Sequence, residues 1–181
     1  MYFVLPLWLL AGLADYLCHR TAHIEYRTGA KESLIHVLMF AEMSVPTLSA
    51  IFLEVNALVI GIMIVFFVLH EATALWDVSY ATQVRGISPF EQHVHSFLEM
   101  LPLMGLTIIA ILHWEQFKAL FGLGSEAARL TLALKQEPLP WPYVTAILSG
   151  VFLFIVLPYI EELVRALRAN NGHLVPTAAK R

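Results

Sequence analysis

Residues 141–160 read WPYVTAILSGVFLFIVLPYI and contain no charged side chain. A helix needs about 20 mostly apolar residues to cross the hydrocarbon core of a bilayer, so this stretch predicts a transmembrane helix. The composition of the whole chain agrees, because 59% of its 181 residues are hydrophobic and only 14% are charged. A soluble domain of this length could not bury so much apolar surface. We therefore expect lipid to surround much of the chain.

Four further stretches are apolar enough to be read in the same way: residues 2–18, 33–53, 56–76 and 94–112. The predicted fold is an all-α integral membrane bundle of about five transmembrane helices. Residues 114–140 mix apolar side chains with Gly and Pro, which predicts an amphipathic segment lying in the membrane interface. We assign residues 1–168 to one transmembrane domain and residues 169–181 to a polar, disordered C-terminal tail.

The basic residues predict an orientation. With five spans, one side of the membrane receives eight of them: Arg20, Arg27, Lys31, Arg85, Arg165, Arg168, Lys180 and Arg181. The other side receives Lys118, Arg129 and Lys135. Positive residues favour the cytoplasmic side, so we expect the N-terminus outside and the C-terminus in the cytoplasm, in the inner membrane of a bacterium.

Histidines and carboxylates concentrate where four of the predicted helices reach the cytoplasmic side. The clusters are Asp15-x3-His19-x3-His23, Glu32-x3-His36, His70 with Glu71 and Asp77, and Glu91-x-His93-x-His95-x3-Glu99. Residues four apart share one face of a helix, so most of these clusters offer an imidazole beside a carboxylate. Ionisable groups at membrane depth are costly and typical of functional sites.

Imidazole and carboxylate ligands without thiolate are typical of iron and manganese centres, and Cys18 is the only cysteine. We therefore predict a dinuclear metal site of iron or manganese, with zinc as the alternative. His93 and His95 point to opposite sides of a regular helix, and we favour His95 as the ligand. The candidate ligands are Asp15, His19, His23, Glu32, His36, His70, Asp77, His93, His95 and Glu99.

Arranged in this way, the chain resembles the integral-membrane di-iron enzymes: fatty acid desaturases, sterol and fatty acid hydroxylases, and alkane monooxygenases. The resemblance rests on His19-x3-His23, on the clustering and on the membrane side, and covers residues 15–99. The His-x-x-His-His box of that family is absent, so carboxylates would supply the remaining ligands. The resemblance implies hydroxylation or desaturation of an apolar, lipid-like substrate with dioxygen. We expect a cytoplasmic electron donor, since the chain shows no flavin or nicotinamide motif.

Other functions fit parts of the same pattern. A zinc-dependent lipid hydrolase would use three histidines and a carboxylate base, Glu99 or Asp77, to activate a metal-bound water. A b-type cytochrome would use histidine pairs as haem ligands, and a transporter or non-catalytic membrane subunit would use them structurally. No Lys/Arg-rich block suggests a nucleic acid partner, whereas five short helices leave room for a homodimer. Arg85 could meet a lipid phosphate or a donor protein, or simply set the topology.

Overall fold

A computed structural model of the protein describes residues 3–176. Residue 2 of the first predicted span and residues 177–181 of the predicted tail, with Lys180 and Arg181, lie outside the described range. The described chain is helical. Its elements are α1 Val4–Ala22, α2 Ile24–Arg27, α3 Ala30–Phe52, α4 Ala57–Val84, α5 Pro89–Leu112, α6 Trp114–Leu120, α7 Trp141–Val151, a π-helical turn Phe152–Val156 and α8 Leu157–Ala169.

Within residues 3–176, four helices are long and apolar enough to cross a membrane. They are Ala30–Phe52, Ala57–Val84, Pro89–Leu112 and the continuous helix Trp141–Ala169, which joins α7, the π-helical turn and α8. The predicted all-α class is thereby confirmed, together with membrane-spanning helices by length and composition. Helix α1 has 19 residues but does not belong to this group, because Asp15, His19 and Arg20 lower the hydropathy of its second half. A fifth span stays a prediction.

Local sequence explains where two of these helices begin. The side chain of Asn56 accepts a hydrogen bond from the backbone N–H of Val59 at 3.2 Å and caps α4. Ser88 and Glu91 form a reciprocal capping box at the start of α5, with Pro89 in the first turn. Glu91 is therefore held in one orientation by the helix end itself, which matters for the site it enters.

The helices run alternately up and down, so that the ends of α1, α4 and α8 meet the beginnings of α3 and α5. Helix α3 packs against α4 and α8, and α1 packs against α5 and the π-helical turn. The last contact is close, because a Cβ added to Gly12 would lie 2.6 Å from Cδ1 of Ile155. At the opposite end, Val59, Ile60 and Ile109 belong to an apolar core beside α6.

Residues 121–140 are largely irregular, and part of this segment pairs with the loop between α3 and α4. The backbone N–H of Glu54 donates to the carbonyl of Ala133, and the N–H of Lys135 donates to the carbonyl of Phe52, both at 2.9 Å. Leu130, Leu132 and Leu134 of this segment are exposed. Its position in a membrane interface stays a prediction.

The first part of the predicted tail is not disordered. Asn170 is buried, and its side-chain amide donates to the carbonyl of Glu25 at 2.7 Å. The N–H of Lys31 donates to the carbonyl of Leu174 at 2.9 Å. Polar composition suggested a free segment, but these hydrogen bonds dock residues 170–176 onto the short turn between α2 and α3.

Candidate metal centre

Nine ionisable side chains meet inside the bundle where α1, α4 and α8 end and α3 and α5 begin. Each of these residues is at most 7% exposed. We refer to them as the polar cluster: Asp15, His19, Glu32, His36, Asp77, Arg85, Glu91, His95 and Glu162. Five elements of the bundle contribute to it, so the cluster exists only once the helices have packed.

Glu162 joins two of the histidines. Its two carboxylate oxygens lie 3.2 Å from Nδ1 of His19 and 3.0 Å from Nδ1 of His36. An ionised carboxylate can only accept hydrogen bonds, so each imidazole carries its proton on Nδ1 and donates it to Glu162. The Nε2 atom of each ring is then left with a free lone pair when the imidazole is neutral.

The two imidazole rings are stacked, with centroids 4.3 Å apart and planes 10° from parallel. Their Nε2 atoms face carboxylates: that of His19 lies 3.5 Å from Oδ1 of Asp15 and 3.7 Å from Oε1 of Glu91. That of His36 lies 3.4 Å from Oδ1 of Asp77. A lone pair facing a carboxylate is repulsive unless a cation, either a proton or a metal ion, lies between them.

His95 completes the group from α5. Its Nε2 lies 3.0 Å from Oδ1 of Asp15, although the angles do not make a hydrogen bond. Its ring stands edge-on to His19 at a centroid distance of 6.2 Å. Asp15, on α1, therefore faces imidazoles from two helices.

Arg85 supplies the positive charge of the cluster. Its guanidinium donates to Oε1 of Glu32 at 2.7 Å and to both oxygens of Glu91, at 2.5 and 3.1 Å. Burial disfavours the charged guanidinium, yet the hydrogen bonds that it donates to Glu91 and Glu32 outweigh this effect and raise the pKa of Arg85 above its ordinary value. We expected Arg85 to meet a lipid phosphate or a donor protein or to set topology, but its guanidinium is enclosed by these two carboxylates.

Several ligand-type atoms of the cluster have no hydrogen-bond partner among the described residues. They are Asp15 Oδ1, His19 Nε2, Glu32 Oε2, His36 Nε2, Asp77 Oδ1 and His95 Nδ1. Unpaired polar atoms are costly in a protein interior. Here they converge: one ligand atom from each of Asp15, His19 and His95 lies within 4.8 Å of the others, and the same holds for His19, Glu32 and His36. The donor set and its spacing fit a metal centre.

Four of the predicted site residues lie apart from the polar cluster. His23 is exposed at the end of α1 and its Nδ1 faces Glu25 at 3.4 Å. His93 is exposed and packs on Phe97. His70 is buried. It lies seven residues before Asp77 on α4, which corresponds to about 10 Å along the helix axis. Glu99 is half-buried one turn past His95, and among the described residues no hydrogen bond or ion pair joins it to the cluster.

Glu162 was not predicted from the sequence, because residues 161–168 look like a polar segment that follows the last span. Its position on the helix was nevertheless readable. Glu162 falls seven residues after Ile155 and four before Ala166, which puts the three on one face, and all three are buried. A charged residue within an apolar face is the pattern that would have identified it.

The chain matches no protein-family model, no curated protein and no solved structure. Nothing beyond the residue pattern itself therefore links it to the di-iron membrane enzymes.

Proposed function

We propose that the polar cluster holds two metal ions. The observation that carries the proposal is the arrangement around Glu162. Histidines that bind metals usually donate their other ring N–H to a carboxylate, which fixes the tautomer and increases the basicity of the ligand nitrogen. His19 and His36 both do so toward Glu162, and both leave Nε2 unpaired.

Charge balance fits two divalent ions. The cluster contains five carboxylates and one guanidinium, which leaves four negative charges when the carboxylates are ionised and the imidazoles are neutral. A buried excess of this size must be compensated, either by cations or by protons on the imidazoles and carboxylates. Two divalent cations would cancel it in full.

The ligands divide into two overlapping groups. Asp15, His95 and His19 form one, and His36, Glu32 and His19 form the other, with Asp77 adding an oxygen 3.4 Å from Nε2 of His36. Carboxylates in both groups suit two ions side by side, since a carboxylate can bridge. In this proposal Glu162 orients two imidazoles and Arg85 orients Glu32 and Glu91.

We further propose that the ions are iron and that the protein oxidises an apolar, lipid-like substrate. Two irons supply the capacity to activate dioxygen, with electrons from a cytoplasmic one-electron carrier. Support comes from an apolar cavity of about 280 Å³ that ends at Tyr159 and Leu98. The ring of Tyr159 lies 6.1 Å from that of His36. We assign Asp77 as the carboxylate that lies near the reacting atoms. Glu99 has no role in this reaction.

A zinc hydrolase is the second candidate, because one of the two ligand groups would be enough to hold a single zinc ion. Catalytic zinc sites commonly use three protein ligands and keep a position for water. Asp15, His19 and His95 supply three ligand atoms. Glu91, 3.7 Å from His19, is a carboxylate close enough to act as a base.

The proposed setting is a bacterial inner membrane, with α1 as a fifth embedded helix and residues 114–140 in the outer interface. The cluster then faces the cytoplasm, where a soluble electron donor could reach it. Support comes from the basic residues, which favour that side. It also comes from α1, which packs along α5, one of the membrane-spanning helices.

Metal content per chain tests the proposal. The full chain is purified in detergent through a tag that binds no metal, and its metals are measured by plasma mass spectrometry. About two irons per chain is the expected result. One zinc per chain would favour the hydrolase instead, and no stoichiometric metal, even after incubation with iron or zinc salts, would overturn the metal centre.

A further inference from the structure

Two apolar cavities lie next to each other between the helices. The inner cavity, described above, ends beside the polar cluster at Tyr159 and Leu98. The outer cavity has a volume of about 250 Å³ and ends at His113 and Lys135, near the beginning of α6. Each has the size and the apolar lining typical of a site for one small ligand.

The two cavities are adjacent, because Leu5, Trp8, Met43, Thr47 and Ile51 line both. Along α5 the combined lining extends from Leu98 to Leu112, which corresponds to about 20 Å of helix. If the two cavities join, their combined length fits a single extended hydrocarbon chain.

The outer mouth of the cavity carries a lysine. Lys135 lies at the mouth, where its Nζ donates to the carbonyl of Leu53 at 2.8 Å. Burial lowers the pKa of Lys135, and the charge of Glu54 opposes that effect. In its protonated form the ammonium group can also bind an anionic group.

We infer that the two cavities join into one passage that binds a long-chain fatty acid, with its carboxylate at Lys135 and the far end of its chain at the polar cluster. The oxidation of the fatty acid depends on the proposed function, whereas the binding of the fatty acid does not. It predicts that oxidation falls near the end of the chain remote from the carboxylate. In a hydroxylation, a C–H bond and the O–O bond break and one oxygen atom forms the alcohol. The other leaves as water, formed with two protons and two electrons from the one-electron carrier.

Binding of the headgroup is tested with the full chain in detergent micelles. Radiolabelled palmitate and hexadecanol, which has the same chain length but no charge, are titrated against wild type and variants. Lys135→Gln should weaken palmitate binding about tenfold, the range expected for a charge-assisted hydrogen bond. Hexadecanol binding should not change. Lys135→Arg should bind palmitate like wild type, as should the control Lys118→Gln, which removes a lysine paired with Glu115 on α6. Equal binding of palmitate by wild type and Lys135→Gln would overturn the assignment, and so would an equal loss for both ligands.

Orientation is tested with two photoreactive fatty acids, one with a diazirine at the chain end and one with a diazirine beside the carboxylate. The first should label residues around Leu98 and Tyr159, and the second should label residues around Leu112 and Leu139. A reversed pattern, or labelling that excess palmitate does not compete away, would overturn the inference. Both experiments are run on protein whose metal content has been measured after incubation with iron or zinc salts. Fatty acid binding without any stoichiometric metal would sink the metal centre alone, whereas bound iron without fatty acid binding would sink this inference alone.

Discussion

Glu162 accepts a hydrogen bond from Nδ1 of His19 at 3.2 Å, although 143 residues separate the two in the chain. The contact connects α8 to α1. The second carboxylate oxygen of Glu162 accepts a hydrogen bond from Nδ1 of His36 on α3. One carboxylate thus determines which nitrogen of two imidazoles is free, and the metal proposal depends on that choice.

Replacing Glu162 tests that dependence directly. Glu162→Gln keeps the shape of the side chain, but its amide can accept from only one imidazole and presents N–H groups to the other. Loss of such an outer carboxylate typically lowers metal affinity 10–100-fold, and we expect a loss in that range by competition with a chelator. Glu161→Gln is the matched control, since Glu161 is half-exposed and pairs with Arg20 and Arg165. Equal affinities for the two variants would contradict the role given to Glu162.

The histidines should fall into two groups. His19→Ala, His36→Ala and His95→Ala each remove a ligand of the proposed centre, so we expect at least one metal per chain to be lost in each. His23→Ala and His93→Ala should retain the wild-type content, because both residues are exposed and apart from the cluster. Plasma mass spectrometry of the five purified variants measures the metal content per chain. A metal loss in His93→Ala comparable to that in His95→Ala would refute the grouping.

Much of the polar cluster could be predicted from sequence because its pairs obey helical spacing. Asp15 with His19 and Glu32 with His36 are each four residues apart, so the backbone alone puts both side chains on one face. Which pairs meet across the bundle depends on packing. His93 is of a residue type that commonly binds metals, but its side chain faces away from the cluster, because it lies two residues before His95 on the same helix.

The partners of Arg85 and Glu162 could not be predicted for a different reason. Arg85 follows the end of α4, where charged residues ordinarily meet headgroups or water. The spacing around Glu162 marks a buried position on α8, but spacing within one helix does not reveal partners on another. The fifth span over residues 2–18 stays a prediction, because Asp15, His19 and Arg20 lower the hydropathy of α1, although Asp15 and His19 are buried.

Arg85→Met should destabilise the folded protein by about 3–5 kcal/mol, because it leaves the buried carboxylates of Glu32 and Glu91 without their counter-charge. The raised pKa of Arg85 means that its stabilisation is complete below the unfolded-state value and is lost only above the folded one. Both values lie above about 12, so the stability difference between the variant and wild type should not shrink between pH 7 and pH 10. Chemical unfolding in detergent at the two pH values measures it. A difference that disappears at pH 10 would contradict the buried ion pairs.

Metal should stabilise the protein against heat and compete with protons. A ligand that binds only the folded state adds about 2.7 kcal/mol at 100 times its dissociation constant, so a chelator should lower Tm by several degrees. The effect should weaken as the pH is lowered, because protons compete for the imidazole nitrogens. The triple variant His19→Ala/His36→Ala/His95→Ala should show no chelator effect on Tm, and a shift of wild-type size in that protein would place the metal elsewhere.

Gly29 tests whether residues 170–176 pack as described. Its φ of 75° lies in a region that residues with a side chain rarely adopt, and an added Cβ would lie 2.8 Å from both the carbonyl oxygen of Leu174 and Cδ of Pro176. Gly29→Ala should therefore cost about 1–3 kcal/mol and increase hydrogen exchange at Lys31, whose N–H donates to Leu174. Gly86→Ala is the control, since its added Cβ meets nothing within 4 Å. Metal content should be unchanged in both, because Gly29 has no contact with the cluster ligands. If Gly29→Ala exchanges at Lys31 as slowly as Gly86→Ala does, the segment does not dock on this turn, and α8 is held in place by Glu162 and its neighbours without help from the chain that follows.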